Sequence, residues 1–256
     1  MAHVEYVGHA TVLVAMDGTR LLTDPVLRSR VAHLRRAVPV DADALVGVDA
    51  VLVSHLHFDH LDVPSLARIG HGTPVVVPRG AGAWLRGKGF SDVTELAAGE
   101  ELSIGGVRVQ GTPADHDSGR LPFGVRADPL GFVVRGSQSV YFAGDTDVFE
   151  AMDEIGPVDV ALVPVAGWGA TLGPGHMDAE RAARALDLLK PSVAVPIHWG
   201  TYFPVHAGLR GRPGWLDLPA AEFAARAAQS APGVEVRVLR PGESTELDPG
   251  AIPSTP

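Results

Sequence analysis

Short runs rich in Val, Leu and Ile, each bounded by Gly, Pro or Asp, recur along the chain. Runs of this length and composition predict β-strands, many of them buried on both faces. Counts of 30 Gly and 21 Pro suit many short strands joined by tight turns better than a helical bundle. The predicted strands are Thr11–Ala15, Arg20–Thr23, Ala50–Ser54, Pro74–Val77, Val107–Gln110, Phe132–Arg135, Ser139–Phe142, Val158–Val163, Val193–Ile197 and Val234–Leu239.

Helical periodicity is clearest over Asp178–Leu189, where apolar residues form one stripe. Asp178 is a suitable N-cap and Pro191 follows the predicted end. An Ala-rich helix is predicted over Leu218–Gln229, and a shorter one from near Asp62 to about Ile69. Strands mixed with helices predict an α/β architecture.

Length and composition favour one globular domain over residues 1–256, because 46% of the residues are hydrophobic and no linker or repeat interrupts the chain. No run approaches the roughly 18 apolar residues that span a bilayer, and the N-terminal segment lacks the layout of a secretory signal. We therefore expect a cytoplasmic protein without a transmembrane segment. The net charge of −9 gives no broad attraction for nucleic acid, although a local basic patch remains compatible with it.

The chain has no Cys but 11 His, so any metal site must use imidazole and carboxylate ligands. Four such side chains occur in the segment HLHFDH, between a predicted strand and a predicted helix. His55 and His57 lie two residues apart in an extended chain, so they point to one side and can hold one ion. Asp59 and His60, beyond the turn, can reach a second ion. Capping and surface roles are the alternative, but HxHxDH is far more demanding than a lone HxH.

The HLHFDH segment resembles the signature of the metallo-β-lactamase superfamily, and later segments resemble its remaining ligand motifs in the same order. These segments are GTPADH, which ends at His116, AGDT, which contains Asp145, and PIHWG, which contains His198. The resemblance covers most of the chain. It implies a four-layer αββα sandwich with the active site at the strand-end loops between the two sheets.

The resemblance also implies a set of ligands for two divalent ions, with zinc expected and Mn, Fe, Ni or Co as alternatives. Asp145 would bridge the ions, and Asp145 and Asp59 would be catalytic. A hydroxide held between two such ions is a strong nucleophile at neutral pH. One ion would take His55, His57 and His116, and the other would take Asp59, His60 and His198.

Further segments resemble one branch of the superfamily, which contains proteins like N-acyl-phosphatidylethanolamine phospholipase D and like ascorbate-6-phosphate lactonase. This resemblance implies that His9 and Asp24 orient ligands or bound water, and that catalytic His176 contacts the substrate or the leaving group. For each, the alternative is an ordinary hydrogen-bonded histidine or turn aspartate. The segments are Gly8–Thr11, Thr23–Val26, His116–Arg120 and Gly175–Asp178.

One basic cluster precedes the HLHFDH segment. Guanidinium groups suit phosphate, so this cluster and Arg120 are candidates for holding an anionic substrate. A solvated loop is the plainer alternative, and Val31 and Leu34 would also permit a short membrane-touching segment. The cluster comprises Arg28, Arg30, Arg35 and Arg36.

These patterns predict a di-metal hydrolase that attacks a phosphodiester or lactone-type ester of a small, anionic or neutral substrate with a metal-bridging hydroxide. A phosphodiesterase should place cationic side chains beside the metals, whereas a lactonase can work with an apolar pocket. A metal-binding scaffold or sensor with little turnover, and a nuclease, are the alternatives. Exposed edge strands would also allow a homo-oligomer.

Overall fold

The computed structural model describes residues 2–120, 124–167, 172–208 and 211–247. In chain order their strands are β1 Ala2–Gly8, β2 Thr11–Met16, β3 Thr19–Thr23, β4 Arg30–Val31, β5 Leu34–Arg36, β6 Ala50–Leu52, β7 Val75–Pro78, β8 Val93–Leu96, β9 Glu101–Ile104, β10 Val107–Pro113, β11 Leu130–Arg135, β12 Ser139–Phe142, β13 Val160–Pro164, β14 Val193–Ile197, β15 Tyr202–Pro204, β16 Glu235–Val236 and β17 Glu243–Leu247. The α-helices of these residues are α1 Val63–Ile69, α2 Gly82–Arg86, α3 Ala179–Leu189 and α4 Leu218–Ser230. Short 3₁₀ helices cover Asp43–Leu45, Glu150–Glu154, Val205–Gly208 and Gly214–Asp217.

The strands form two mixed sheets of seven strands and one small sheet of three. The first sheet has the order β17-β1-β2-β3-β6-β7-β8, antiparallel up to β3 and parallel from there to β8. The second has the order β16-β14-β13-β12-β11-β10-β9, parallel from β16 to β12 and antiparallel beyond it. The small sheet joins β15, β5 and β4.

Buried side chains that point alternately to the two faces of a strand explain why the two large sheets stack. In β2, Val12 and Val14 pack into the core shared with the second sheet, whereas Leu13 packs on the opposite side with α1 and α2. Such alternation is expected of a strand buried on both faces, because successive side chains point to opposite sides. Helices α3 and α4 cover the outer face of the second sheet. The predicted αββα sandwich is therefore confirmed.

Two of the helices begin at the residues that the sequence indicates. The Asp178 carboxylate accepts a hydrogen bond from the Arg181 N–H, and the Asp62 carboxylate does the same for Ser65. Each bond satisfies a backbone donor that the first helical turn leaves unpaired. Helix α3 ends at Leu189, and its C-cap Lys190 adopts a left-handed conformation directly before Pro191.

The structure corrects several predicted boundaries. The strand predicted at Val234–Leu239 is only Glu235–Val236, and the one predicted at Val158–Val163 is β13. The sequence patterns missed β1, β4, β5, β8, β9, β15, β17 and α2. Most of these are short or carry charged residues, so their apolar runs are too brief to stand out.

A single domain over 1–256 stays a prediction. Residues 168–171 of the predicted active-site loop Gly167–Gly175 lie outside the described residues.

Within the described ranges, no helix combines the length and the apolar character needed to cross a membrane.

Candidate metal centre

Strand ends bring the chemistry-bearing residues together at one edge of the sandwich. Residues from the first sheet meet residues from the second there, because the strands of each large sheet end facing the same space. His176 joins them from the loop before α3. His9 follows β1, Asp24 follows β3, the segment from His55 to His60 follows β6, His116 follows β10, Asp145 follows β12 and His198 follows β14.

Three imidazoles form the first cluster. His57 Nδ1 lies 3.0 Å from His55 Nε2 and 3.0 Å from His116 Nε2. His116 Nδ1 donates to the Gly175 carbonyl at 2.7 Å, so its Nε2 carries a lone pair when the ring is neutral. Burial lowers the pKa of His55, His57 and His116, which keeps these rings neutral. Neutral imidazoles with converging nitrogens are suitable ligands for a divalent cation.

His9, Asp59, His60 and His198 form the second cluster. The Nε2 atoms of His60 and His198 lie 3.2 Å apart. His198 Nδ1 donates to the Ala166 carbonyl at 2.6 Å, and burial lowers the His198 pKa to about 3, so its Nε2 carries a lone pair. His9 Nε2 lies 3.0 Å from Asp59 Oδ2 and can orient that carboxylate.

Asp145 lies between the clusters and is 3% exposed. Its Oδ2 is 3.1 Å from His60 Nε2, and its Oδ1 is 3.4 Å from His198 Nε2. Oδ1 is buried and has no hydrogen-bond partner within the described part of the chain. A carboxylate oxygen that faces a nitrogen lone pair is repelled unless a cation lies near both. The donor set therefore fits divalent metal ions.

Asp24 is fully buried and contacts His60 of the second cluster directly and His55 of the first cluster through Ser54. His60 Nδ1 lies 2.7 Å from Asp24 Oδ2, which holds the ring with its Nε2 toward Asp145. Ser54 donates to the same carboxylate from its N–H at 2.7 Å and from its hydroxyl at 2.5 Å. Because that hydroxyl proton is engaged, Ser54 Oγ can accept from His55 Nδ1 at 3.0 Å. Sequence reasoning gave Ser54 no role, although it directly precedes the histidine motif.

The charges of the site explain two opposite pKa shifts. Burial alone would lower the pKa of His60, but the carboxylates of Asp145 and Asp24 raise it well above its usual value. Burial alone would raise the pKa of Asp145, but His198 and His60 lower it well below its usual value. A cation at this position would replace the His60 proton as the partner of Asp145.

Backbone strain concentrates at the same edge. His9, Asp24 and His198 have φ angles of 62°, 35° and 64°, in the left-handed region that favours glycine. Conformations of this kind cost about 1–3 kcal/mol each and persist where surrounding bonds enforce them. The His198 N–H donates to the His9 carbonyl at 2.7 Å, and the His9 N–H donates to Thr201 Oγ1 at 2.8 Å. These bonds tie the two large sheets together at the candidate site.

A family model described as the beta-lactamase superfamily domain matches residues 19–199, which include strands β3 to β14 and every clustered residue above except His9. The chain belongs to this superfamily. Among curated relatives, a UPF0173 metal-dependent hydrolase of Deinococcus radiodurans is 36% identical over 253 residues, covering 96% of this chain and 100% of the relative. A UPF0173 metal-dependent hydrolase of Methanopyrus kandleri is 33% identical over 251 residues, covering 95% of this chain and 99% of the relative. Within the superfamily, the chain is thus a member of the UPF0173 metal-dependent hydrolase family.

Two further similar proteins are a longer curated relative and a solved structure. A protein of Mycobacterium tuberculosis, named as uncharacterized, is 35% identical over 218 residues, and this chain spans only 59% of its length. The solved structure of Igni18, a metallo hydrolase from Ignicoccus hospitalis, is 26% identical with a TM-score of 0.71. That alignment covers 96% of this chain and 99% of Igni18.

In this superfamily member, Arg120 contacts the histidine-rich loop. Its Nη1 donates to the carbonyls of Leu56 and Leu61 at 2.8 and 2.9 Å. Its guanidinium also lies over the rings of Phe58 and Trp84, at 4.7 and 4.8 Å from their centroids. These contacts fix the loop that carries His55 to His60.

The pocket beside the two clusters has a volume of about 400 Å³. Its described lining contains no Arg or Lys, and its aliphatic wall comes from the β4–β5 hairpin. His176 lies at its side, with Nε2 3.4 Å from Asp145 Oδ2 and its ring perpendicular to that of His116. The lining residues are Val31, Ala32, His33, Leu34, His57, Phe58, Asp59, Asp145 and His176.

Proposed function

We propose that this protein is a two-metal hydrolase of small neutral esters of the lactone type. The observation that carries the proposal is the buried, unpaired Oδ1 of Asp145, which faces the lone pair of His198 between two groups of metal-competent side chains. The names of the Deinococcus and Methanopyrus relatives, both metal-dependent hydrolases, support the same class of activity.

Each cluster would hold one divalent ion, with zinc favoured by the nitrogen-rich donor set. Asp145 would contact both ions. When bound, the pair of ions would supply Lewis-acid chemistry and lower the pKa of a coordinated water. The first ion would take His55, His57 and His116, and the second would take Asp59, His60 and His198.

The chain's own residues would position the substrate and move a proton. Phe58, Val31 and Leu34 would hold the apolar part of an ester and exclude bulk water. His176 would donate a proton from Nε2 to the leaving oxygen, since its Asp145 neighbour raises its pKa against the effect of burial. Asp59, which accepts a hydrogen bond from His9, would keep its carboxylate directed at the second ion.

The composition of the pocket lining supports one of the two ester classes that the sequence left open. A phosphodiester carries a negative charge, and its transition state gains from cationic side chains beside the metals. The described lining offers no Arg or Lys, and Arg120 donates to backbone carbonyls instead. An apolar wall of this kind favours a neutral lactone or carboxylic ester over a phosphodiester.

The segments that resemble lactonase-like and phospholipase-like proteins support placing this chain in that branch. Their residues His9, Asp24 and His176 lie against the two clusters. Each contacts a proposed ligand, so the resemblance extends to the surroundings of the metals as well as to the ligands. Of the two activities, the apolar pocket favours the lactonase type.

Parallel hydrolysis assays would test the proposal. The purified protein would be given aliphatic γ- and δ-lactones, p-nitrophenyl butyrate and bis-p-nitrophenyl phosphate, before and after chelation. We expect lactone turnover that chelation abolishes, zinc restores and Asp145→Ala reduces by at least about a hundredfold. Asp153→Ala removes an exposed carboxylate of the 150–154 helix and should leave the rate unchanged.

Each contrary result has a definite meaning. Turnover confined to the phosphodiester would refute the substrate class and leave the metal chemistry intact. Lactone turnover that survives chelation would refute the metal chemistry. Absence of turnover on all substrates, with the metals bound, would favour a metal-binding scaffold.

A further inference from the structure

A second cavity, of about 810 Å³, lies beside the β4–β5 hairpin and is separate from the metal pocket. Its lining contains no Asp or Glu among the described residues. The chain as a whole carries a net charge of −9, so a cavity of this composition is a local reversal of charge. The basic residues that line it are Arg28, Arg30, Arg35, Arg36 and Arg68.

The hairpin separates the two cavities through its alternating side chains. Val31 and Leu34 pair across β4 and β5 and line the metal pocket. Arg30 and Arg35 form the next cross-strand pair and line the second cavity. Since neighbouring residues of a strand point to opposite faces, one face of the hairpin serves each cavity.

Arg30 and Arg35 are directly opposed cations, and no carboxylate of the described residues lies within 4.0 Å of either guanidinium. Like charges directly opposite each other in an antiparallel pair are destabilising. Arg108 and Arg135 form the same kind of pair in the second sheet, but Arg108 lies 3.6 Å from Glu101. The hairpin pair lacks such a counter-charge.

Arg36 also lines this cavity, although it follows Leu34 by two residues and therefore lies on the other face of β5 from Arg35, and it is 8% exposed. Its guanidinium donates to the carbonyls of Val38, Val26 and Val7 at 2.7–2.8 Å. These partners satisfy its hydrogen bonds without neutralising its charge, and within the described ranges no carboxylate reaches it. A buried cation of this kind leaves a positive potential in the adjacent cavity.

Two other arginines are partly neutralised. Arg28 binds Asp62 through two hydrogen bonds of 2.6 and 2.9 Å, and Arg68 lies 3.0 Å from Asp43. The Arg68 pair is exposed, so water and salt weaken it. After both pairs are counted, Arg30, Arg35 and Arg36 supply the excess positive charge.

We propose that this cavity is a binding site for a soluble, phosphate-bearing small molecule. Guanidinium groups bind phosphate oxygens through paired charge-assisted hydrogen bonds, and two opposed arginines that line one cavity can contact the same phosphate group. The proposal does not depend on the ester hydrolysis proposed above, because the hairpin separates this cavity from the metal pocket.

A soluble ligand is favoured over a lipid headgroup. Membrane attachment beside a basic patch needs apolar side chains that enter the bilayer. Val31 and Leu34 are 2% and 3% exposed and face inward, so the membrane-touching segment permitted by the sequence is not formed. The large apolar side chains exposed in the described part of the chain are Val46, Phe58, Leu218 and Val238, and none of them lines this cavity.

Calorimetric titration of the metal-loaded protein with pyrophosphate would test the proposal. We expect one saturable site that the R30A/R35A double variant weakens by at least about tenfold, because two charged hydrogen-bond donors are lost. The R108A/R135A variant is the matched control, since it removes the other cross-strand arginine pair, and it should bind as the unmodified protein does. His116→Ala should also retain binding, which separates this site from the metal centre.

The proposal is overturned if no saturable binding is found, if R30A/R35A binds unchanged, or if His116→Ala abolishes binding. Sedimentation with phosphatidylglycerol vesicles distinguishes the source of phosphate. We expect no vesicle binding. Vesicle binding that R30A/R35A removes, without pyrophosphate binding, would refute a soluble ligand and assign the cavity to lipid headgroups.

Discussion

Asp24 shares its two carboxylate oxygens between Ser54 and His60, and through them it contacts both imidazole clusters. His60 belongs to one cluster, and Ser54 reaches His55 of the other. A single buried carboxylate therefore determines which nitrogen carries the proton in both rings. Groups that orient metal ligands in this way commonly change metal affinity by 10–100-fold when they are removed.

Asp24→Asn should weaken the binding of both ions by about tenfold or more, because an amide cannot accept hydrogen bonds at both of its terminal atoms. Competition with a chromophoric chelator would measure the two affinities. Asp187→Asn, at an exposed position of α3, is the control and should bind metal normally. Loss of one ion with the other unaffected would contradict the shared role of Asp24.

Metal affinity should also rise with pH. The carboxylates of Asp145 and Asp24 raise the pKa of His60, so the metal-free protein holds a proton there that an incoming ion must displace. Each proton displaced strengthens binding by about tenfold per pH unit, and the effect ends once the pH exceeds the His60 pKa. Chelator competition between about pH 6 and about pH 8 would show this slope. An affinity that is flat across this range, after correction for the chelator, would contradict it.

At the scale of elements, the segment between β6 and α1 is held on both sides of its turn. Arg120 donates to the carbonyls of Leu56 and Leu61, and α1 begins directly afterwards at its N-cap Asp62. A loop with so many side-chain ligands needs such external bonds, because its own backbone forms few regular ones.

Arg120→Ala should lower the free energy of unfolding by about 2 kcal/mol, since it removes two hydrogen bonds from a charged donor and leaves two carbonyls without them. Urea denaturation would measure the change. Arg120→Lys should lower the free energy of unfolding by less than Arg120→Ala does. It should still be less stable than the unmodified protein, because an ammonium lacks the planar fork and its stacking on Phe58 and Trp84. Arg184→Ala, on the exposed face of α3, should change stability by less than about 0.5 kcal/mol. Equal effects of Arg120→Ala and Arg184→Ala would contradict the proposed contacts.

The elements that the sequence predicted are those with long apolar patterns. Strands β12 and β14 occur at the predicted residues, and α3 has its predicted cap at Asp178. The β4–β5 hairpin was not predicted, because it holds only two and three residues and is rich in arginine. Its burial depends on contacts with the distant β15, which local patterns do not contain.

The candidate site was predictable only in part, for a similar reason. Ligand types follow from the spacing in HLHFDH and from the family resemblance. The hydrogen bond between His9 and Asp59 and the contacts of Arg120 with the loop join residues 50 or more positions apart. Contacts of that kind depend on how the two sheets stack, so the sequence indicated Arg120 as an anion-binding candidate without showing its carbonyl partners.

At the scale of the whole molecule, the candidate metal centre lies across the junction of the two large sheets. The segment from His55 to His60 follows a strand of the first sheet, whereas His116, Asp145 and His198 follow strands of the second. Ions bound by both groups would link the two halves of the sandwich.

Metal removal should therefore lower the melting temperature of the whole fold. Bound ligand stabilises the native state by about 2.7 kcal/mol when its free concentration is 100 times its dissociation constant. Differential scanning calorimetry with and without a chelator would measure the shift, and added zinc should reverse it. An unchanged melting temperature after confirmed metal loss would mean that the ions do not join the sheets.

Elemental analysis of the purified protein, as isolated and after reconstitution with zinc, would count the ions that the two clusters hold. We expect close to two ions per chain, and a clear loss in Asp145→Ala, whose side chain lies between both clusters. Fewer than one ion per chain after reconstitution would contradict the two-metal centre and the hydrolytic function proposed from it.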